Sequence, residues 1–339
     1  MMTGKLFIDG RDAFTEYGIF VESSGFKQLI QFASFKKLDE TDWPEEDGTE
    51  VDLTAPMLDT RSLQIQFCIV NIRYAEDLFD ELATGAYHTF EFKEIKKTYK
   101  LRMTSNGSFS SFVRLGKLSL TFSDDFPTIP TDEPYALGKT EVRQVGFEID
   151  GVDFSRFGTY ILNGTTDNLR KAANTKENLK VSNKATAGVQ YDGESVYFKS
   201  KDVALKLLID APNIDDFWKR YNAIFAIALQ PENRVFYYAE LGNEYDCYYK
   251  SCSVSKFEIL RSGKIWCEFQ INLVFFAYRP VGQYLLLATE DFDYVITEDA
   301  TNPARIRIRP KSGISLLITE NGEYIITQPC LLYTSDAAD

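Results

Sequence analysis

Histidine occurs once in the 339 residues, cysteine five times with no C-x-x-C pair, and the acidic residues outnumber Lys plus Arg by 50 to 37. No stretch approaches the roughly 20 uncharged apolar residues that a membrane-spanning helix needs. The segment Met1 to Phe14 has no apolar core after its single Lys5, so the sequence predicts a protein that is made in the cytoplasm and stays soluble. A net charge of -13 leaves no uniform field to draw the chain onto nucleic acid or an anionic membrane. Any Ser-His-Asp or Cys-His chemistry would have to run through His88, in Ala86-Tyr87-His88-Thr89-Phe90, and no G-x-S-x-G elbow accompanies it. His88 reads as a surface or loop residue just after a helix. Phosphate-loop, dinucleotide and H-E-x-x-H patterns are all missing, and with them nucleotide and metalloprotease chemistry.

The cysteines Cys68, Cys247, Cys252, Cys267 and Cys330 are expected as reduced thiols. Cys247 and Cys252 lie close in sequence, but a zinc site needs four ligands and the one histidine is remote. Cys68, in the alternating run with Ile65, Phe67 and Ile69, and Cys267, between Trp266 and Phe269, read as small core residues. No catalytic residue, metal or cofactor is expected. Asp39, Glu40, Asp42, Glu45, Glu46 and Asp47 crowd one segment, and glycosidases use a carboxylate pair. Such pairs usually come from separate elements facing a cleft. Here they are contiguous and broken by Trp43-Pro44, which favours a solvated loop, and their spacing misses the calcium-loop pattern.

What the sequence has in abundance is apolar and aromatic residues, 44% and 14%, enough for about two domains with buried cores. A repeat organises them. Leu6-Phe7-Ile8-Asp9-Gly10 followed by Tyr17-Gly18-Ile19-Phe20 returns as Phe147-Glu148-Ile149-Asp150-Gly151 followed by Phe157-Gly158-Thr159-Tyr160. Each is a strand, an Asp-Gly turn and a further aromatic-rich strand. Asp47-Gly48 through Leu53 is matched with Asp192-Gly193 through Phe198, and the strand from Ser62 with the one from Ala204.

A helix follows in each copy. In the second, Ile214, Phe217, Trp218, Tyr221, Ile224, Phe225 and Ala228 form one apolar face, with Asn213 as N-cap and Pro231 as stop. In the first, Ile72, Ala75, Leu78, Phe79 and Leu82 form the stripe and Gly85 the break. Alternating strands close each copy, Lys117 to Phe122 and Trp266 to Phe275.

The expected fold is mainly β (α+β): two tandem β-sandwich or barrel domains, each with one helix, and a C-terminal β-hairpin segment. The domains are placed at 1–127 and 142–280, with a Pro-rich linker at 128–141 and hairpin repeats at 281–328. In those repeats Leu286 to Glu298 recurs as Leu316 to Gln328, with Asn321-Gly322 at a turn. Arg305, Arg307 and Arg309 alternate with Ile306 and Ile308, placing three guanidiniums on one strand face. The last ten residues, Cys330 to Asp339, resemble the in-frame translation of a sequencing-library adapter, so the native chain is expected to continue differently after about Gln328.

The first copy resembles the N-terminal domain of distal tail proteins and related tail-tube-fold components of long-tailed bacteriophages, of the type in phages of gut Bacteroidales. The resemblance is carried by Ile8-Asp9-Gly10, Tyr17-Gly18-Ile19, Lys36-Lys37, the run Trp43-Pro44-Glu45-Glu46-Asp47-Gly48-Thr49-Glu50-Val51-Asp52-Leu53, Pro56 and the strand from Ser62. It covers about the first 125 residues well and extends more loosely to about Pro280. The second copy departs from it, with Asn168 to Gln190, rich in Lys, Asn and Ala, where the acidic Trp-Pro loop would be.

The resemblance implies a tail-tube-like β fold that associates into a ring, commonly of six subunits. Such a ring joins the tail tube to the tip or receptor-binding proteins of a virion tail assembled in the bacterial cytoplasm. Genomic DNA would pass an acidic lumen without specific binding. Trp43, Glu45, Glu46, Asp47, Arg305, Arg307 and Arg309 are the candidate interaction residues. Two other readings stay open on the sequence. One is a carbohydrate-binding β-sandwich of the tail tip, with Trp43, Tyr237, Tyr238, Tyr248 or Tyr249 stacking on sugar rings. The other is a glycosidase using the Asp39 to Asp47 cluster.

Overall fold

The structure is a computed structural model. It describes residues 2–277 except 23–24, 71–73, 113–114, 132–141, 144, 178–179, 183, 186 and 192–195, together with the short strands 282–283, 285–286, 307–308, 315–318, 324–328 and 331–333.

Local signals account for the start of each copy. Strands β1 (Leu6–Ile8) and β2 (Arg11–Asp12) are joined by Asp9-Gly10, at φ 49° and 81°. Two central residues in the left-handed region make the two-residue hairpin turn that suits the twist of the flanking strands. Asp12 then caps helix α1 (Ala13–Tyr17) by accepting from Thr15 N–H, Gly18 ends it at φ 64°, and β3 (Ile19–Val21) follows. The second copy repeats each step. Asp150-Gly151 turn at φ 49° and 79°, Asp153 caps a 3-10 turn at Phe154–Phe157, and Gly158 stops it at φ 64°.

After the short helix α2 (Lys27–Ile30) the first copy runs through β4 (Glu40–Thr41), β5 (Glu50–Val51), β6 (Arg61–Ile69), helix α3 (Ala75–Leu82), β7 (Tyr87–Phe92), β8 (Lys97–Phe112) and β9 (Leu115–Asp124). The second copy opens with β10 (Phe147–Ile149), β11 (Val152–Asp153) and β12 (Thr159–Ile161). It continues through α4 (Thr165–Arg170), β13 (Lys180–Val181), β14 (Gln190–Tyr191), β15 (Lys201–Ala211), α5 (Ile214–Ala228), β16 (Arg234–Tyr238), β17 (Asn243–Ile259) and β18 (Ile265–Phe275). The chain is thus mainly β, with antiparallel sheets and a helix in the same place in each copy.

The two large sheets have one topology. The first is ordered β2-β1-β7-β8-β9-β6-β3 and the second β11-β10-β16-β17-β18-β15-β12, so each strand lies where its counterpart nine strands earlier lies. The register differs from the sequence expectation. Arg61 faces Asp124 and Lys201 faces Phe275, so β6 and β15 correspond at a spacing of 140 (201 minus 61), two residues from the Ser62–Ala204 match.

Alternation decides which faces are buried. In β6, Leu63, Ile65, Phe67 and Ile69 point inward, as do Val203, Leu205, Leu207 and Ile209 in β15. Asn213 caps α5 by accepting from Asp216 N–H, and Phe217, Tyr221, Ile224 and Phe225 on that helix are buried. In α3, Leu78 and Leu82 are buried, while Ile72 falls outside the described residues.

The two copies do not have separate cores; one continuous apolar cluster runs through both. Phe32 stacks on Phe225 at 3.9 Å, Phe26 meets Phe257 at 6.4 Å, Trp218 Nε1 donates to Ile95 O at 2.6 Å, and Tyr221 O–H donates to Ile30 O at 3.1 Å. Each buried aromatic contributes about 1.5–3 kcal/mol, and those on α5 serve both copies at once.

Beyond the second sheet, β19 (Gly282–Gln283) pairs with β17, β20 (Leu285–Leu286) with β21 (Arg307–Ile308), and β22 (Ser315–Ile318) with β23 (Tyr324–Gln328). The β22–β23 pair is the expected hairpin. A last strand, β24 (Leu331–Tyr333), lies in the adapter-like segment and pairs with β23. Arg305, Arg309, Asn321, Gly322 and Cys330 fall outside the described residues.

Candidate functional site

The acidic segment is the tip of an arm. Residues 34–59 double back on themselves: Lys36 N–H donates to Met57 O and Asp59 N–H to Ser34 O, both at 2.8 Å, while Phe35 and Leu58 pair between them. Further out, β4 pairs with β5 and Asp52 N–H reaches Asp39 O at 3.0 Å. The tip turns through Trp43-Pro44-Glu45-Glu46, closed by Glu46 N–H to Trp43 O at 3.3 Å.

This arm lies on the second copy. Gly48 N–H donates to Phe198 O at 2.7 Å, Phe198 N–H donates to Asp47 Oδ1 at 2.8 Å, and Thr49 N–H donates to Phe276 O at 3.3 Å. Leu53 and Val51 pack with Tyr248, Val274 and Phe276 in a small apolar cluster. At the tip, the buried Lys176 donates to Trp43 O at 2.6 Å and pairs with Asp42. Tyr248 O–H reaches Glu40 Oε1 at 3.4 Å. Gly48 is required because its φ is +80° and a Cβ there would sit 1.6 Å from the Phe276 carbonyl oxygen.

Of the acidic run, Asp39 lines an open cleft of about 750 Å³ together with Glu50, Asp52, Glu232 and Asp246. Asp42, Asp47 and Glu40 bind the second copy, and Glu50 accepts from Trp43 Nε1 at 3.1 Å. Glu45 and Glu46 are exposed at the tip beside Trp43, which is 51% exposed. Of the other aromatics proposed as a sugar platform, Tyr237, Tyr238, Tyr248 and Tyr249 are all buried. A strand aromatic on the inward face serves packing before anything else. Between the arm and the second sheet lies a cleft of about 500 Å³ whose lining includes Lys36, Lys37, Lys171, Lys201, Lys250 and Tyr248.

The second copy has an arm of the same build. Thr175 pairs with Phe198, Lys176 N–H donates to Tyr197 O, Lys199 N–H donates to Asn174 O, and β13 pairs with β14. The spacing from the first arm is again 140 (198 minus 58), which aligns Gly48 with Gly188. The match of Asp47-Gly48 to Asp192-Gly193 is thus five residues out. The dipeptide misleads because the backbone feature the two arms share is a glycine at positive φ, +80° at Gly48 and +91° at Gly188.

His88 lies on β7 and is 7% exposed, not in a loop after a helix. Its Nδ1 is 2.7 Å from Asp9 Oδ2, while Asp9 Oδ1 accepts from Thr89 N–H at 2.7 Å. The second copy places Arg234 in that position: its Nη1 is 2.7 Å from Asp150 Oδ2, and Asp150 Oδ1 accepts from Val235 N–H at 2.8 Å. His88 thus occupies the seat of a cation that ties the Asp-Gly turn to the next strand. Burial tends to raise the Asp9 carboxyl, but the Thr89 N–H and His88 outweigh it and hold it below its ordinary value.

Asp9, Glu81 and His88 could each offer a metal one ligand atom, these atoms lying within 4.8 Å of one another. Glu81, however, is engaged by the Arg11 guanidinium and the Tyr17 hydroxyl. Cys247, Cys252 and Cys267 are buried, and burial pushes the Cys252 thiol up to about 11, the opposite of an activated nucleophile.

Lys201 and Arg61 also correspond. Arg61 donates from Nε to Asp124 Oδ2 at 2.9 Å and from Nη1 to Leu29 O at 3.5 Å. Lys201 donates to Leu169 O, with Phe275 in the place of Asp124, and burial pushes its pKa down to about 8.

No family model matches the chain, and no curated protein matches it. Among solved structures, SPP1 Dit (gp 19.1), described as a paradigm of the hub adsorption apparatus in phages infecting Gram-positive bacteria, aligns with 80% of this chain and 97% of its own. The identity is 12% and the TM-score 0.29.

Proposed function

We propose that this chain is a structural subunit of a bacteriophage tail, a distal-tail or hub-like protein that assembles into a ring between the tail tube and the tip or receptor-binding proteins. The observation that carries the reading is the head-to-tail join of two copies of one sheet, made by an arm that reaches from the first onto the second. A unit that offers both an arm and a surface to receive one can add further units in the same sense, and such heterologous association closes into a ring when the rotation between units is a simple fraction of a turn. The motifs of the first copy that resemble distal tail proteins, from Ile8-Asp9-Gly10 to the Trp43-Pro44 arm, support the same assignment. On this reading the protein is not an enzyme, six subunits surround a lumen, and the complex is built in the host cytoplasm and carried in the virion. The surplus of carboxylates, a net charge of -13, suits a lumen that DNA must traverse without adhering.

The test is light scattering across protein concentration followed by negative-stain imaging of the full chain. Hollow rings of uniform diameter are expected. Monomers at every concentration, or closed two-fold dimers, would overturn the proposal.

A further inference from the structure

The two arms share a backbone and differ in their surroundings. Gly48 is buried against the second copy, whereas a Cβ on Gly188 would meet nothing within 4 Å. Thr49 and Val51 are half-buried under the second sheet, whereas Val189 and Tyr191, 140 residues later, are 54% and 55% exposed.

The receiving surfaces differ in the complementary way. Phe198 turns its N–H and C=O away from its own arm, and both are taken by the first arm, through Asp47 and Gly48. Leu58 has the same pairing: Lys36 and Ser34 bond its neighbours Met57 and Asp59, so its own N–H and C=O also face outward. Among the described residues nothing bonds them. An unpaired outward edge of this kind is a template for another segment of chain. Asp125 is the counterpart of Phe276, because Asp124 and Phe275 hold equal places opposite Arg61 and Lys201. Next to Asp125, Tyr87 and Phe126 form an exposed aromatic pair with ring centroids 5.3 Å apart.

We infer that the second arm of one chain docks on the first sheet of another copy of the same chain, repeating between chains the join that the first arm makes within one. Gly188 N–H then donates to Leu58 C=O of the neighbour and Val189 N–H to its Asp125 C=O, while Tyr191 covers the aromatic pair. The occupant is a second copy because the chain itself carries a segment of matching backbone, left unused, and an edge of matching pattern, left open. The inference shares with the reading above only the premise that the chain associates with itself.

The test compares the full chain with a Val189→Asp/Tyr191→Asp variant. Both side chains are exposed and contribute nothing to the core, so folding, followed by circular dichroism, is expected to be unchanged. Loss of the two apolar contacts is expected to weaken self-association at least ~10-fold. An Ala187→Cys chain mixed with an Asp59→Cys chain is then treated with a short bis-maleimide. These positions lie beside Gly188 and Leu58, and a cross-link between the two variants is expected, above any background from the parent chain.

Arm-dependent assembly into open chains would uphold this inference and overturn the ring. Assembly that is insensitive to the arm variant and yields no such cross-link would overturn this inference and leave the ring standing. Monomers from ~1 to ~100 µM would overturn both.

Discussion

Gly48 and Gly188 form a matched pair that isolates the worth of the arm contact. Both hold a positive φ, so alanine at either costs about 1–2 kcal/mol of backbone strain. Only at Gly48 does the new Cβ collide, 1.6 Å from the Phe276 oxygen, and because that atom is backbone, in a residue whose own N–H is tied to Asp246 O, no rotamer change relieves it. The arm has to lift. It then gives up the hydrogen bonds of Gly48 and Phe198 N–H and that of Thr49 N–H to Phe276, each worth roughly 0.5–1.5 kcal/mol. Gly48→Ala is therefore expected to cost about 2.5–6.5 kcal/mol, before any exposure of Leu53, and Gly188→Ala about 1–2 kcal/mol. Urea unfolding in dilute protein measures both, and amide exchange of residues 47–53 tells whether the loss is confined to the arm. Equal costs at the two positions, or an arm that stays protected in Gly48→Ala, would refute the reasoning.

Two further outcomes follow from the paired positions Arg61 and Lys201. The folded pKa of Lys201 is about 8 against an ordinary 10.5, so between those values the unfolded chain binds more protons than the native one and stability rises with pH. Lys201→Met, which removes the buried charge, is expected to gain about 1–3 kcal/mol at pH 7 and to flatten the rise, measured by thermal unfolding from pH 7 to 11. Asp124→Ala leaves the half-buried Arg61 guanidinium without its buried carboxylate and is expected to cost about 3 kcal/mol in denaturant unfolding.

The parts of this protein that were legible in the amino-acid order are those governed by neighbours along the chain. The Asp-Gly turns at 9–10 and 150–151, the Asn213 cap, the apolar face of α5 and the alternation of β6 and β15 depend on residues within a few positions, so their physics is written locally. The duplication was legible for the same reason, because turns and periodicities recur in order. What local pattern could not supply was register over long loops: the arms corresponded through glycines at positive φ, not through the Asp-Gly dipeptides. A spacing of 140, already visible between Gly18 and Gly158, was the signal that would have found it.

Tertiary structure alone decided the rest. His88 is buried because Asp9 lies 79 residues away in sequence yet 2.7 Å away in space. The two copies share one core because Phe32 and Phe225 meet face to face, and aromatic content says nothing of which rings will stack. The acidic run of the first arm binds its own chain, while the second arm finds no equivalent seat there. That asymmetry arises because a duplicated unit with an arm and an edge can satisfy one join within a single chain, leaving the other arm and the other edge unjoined.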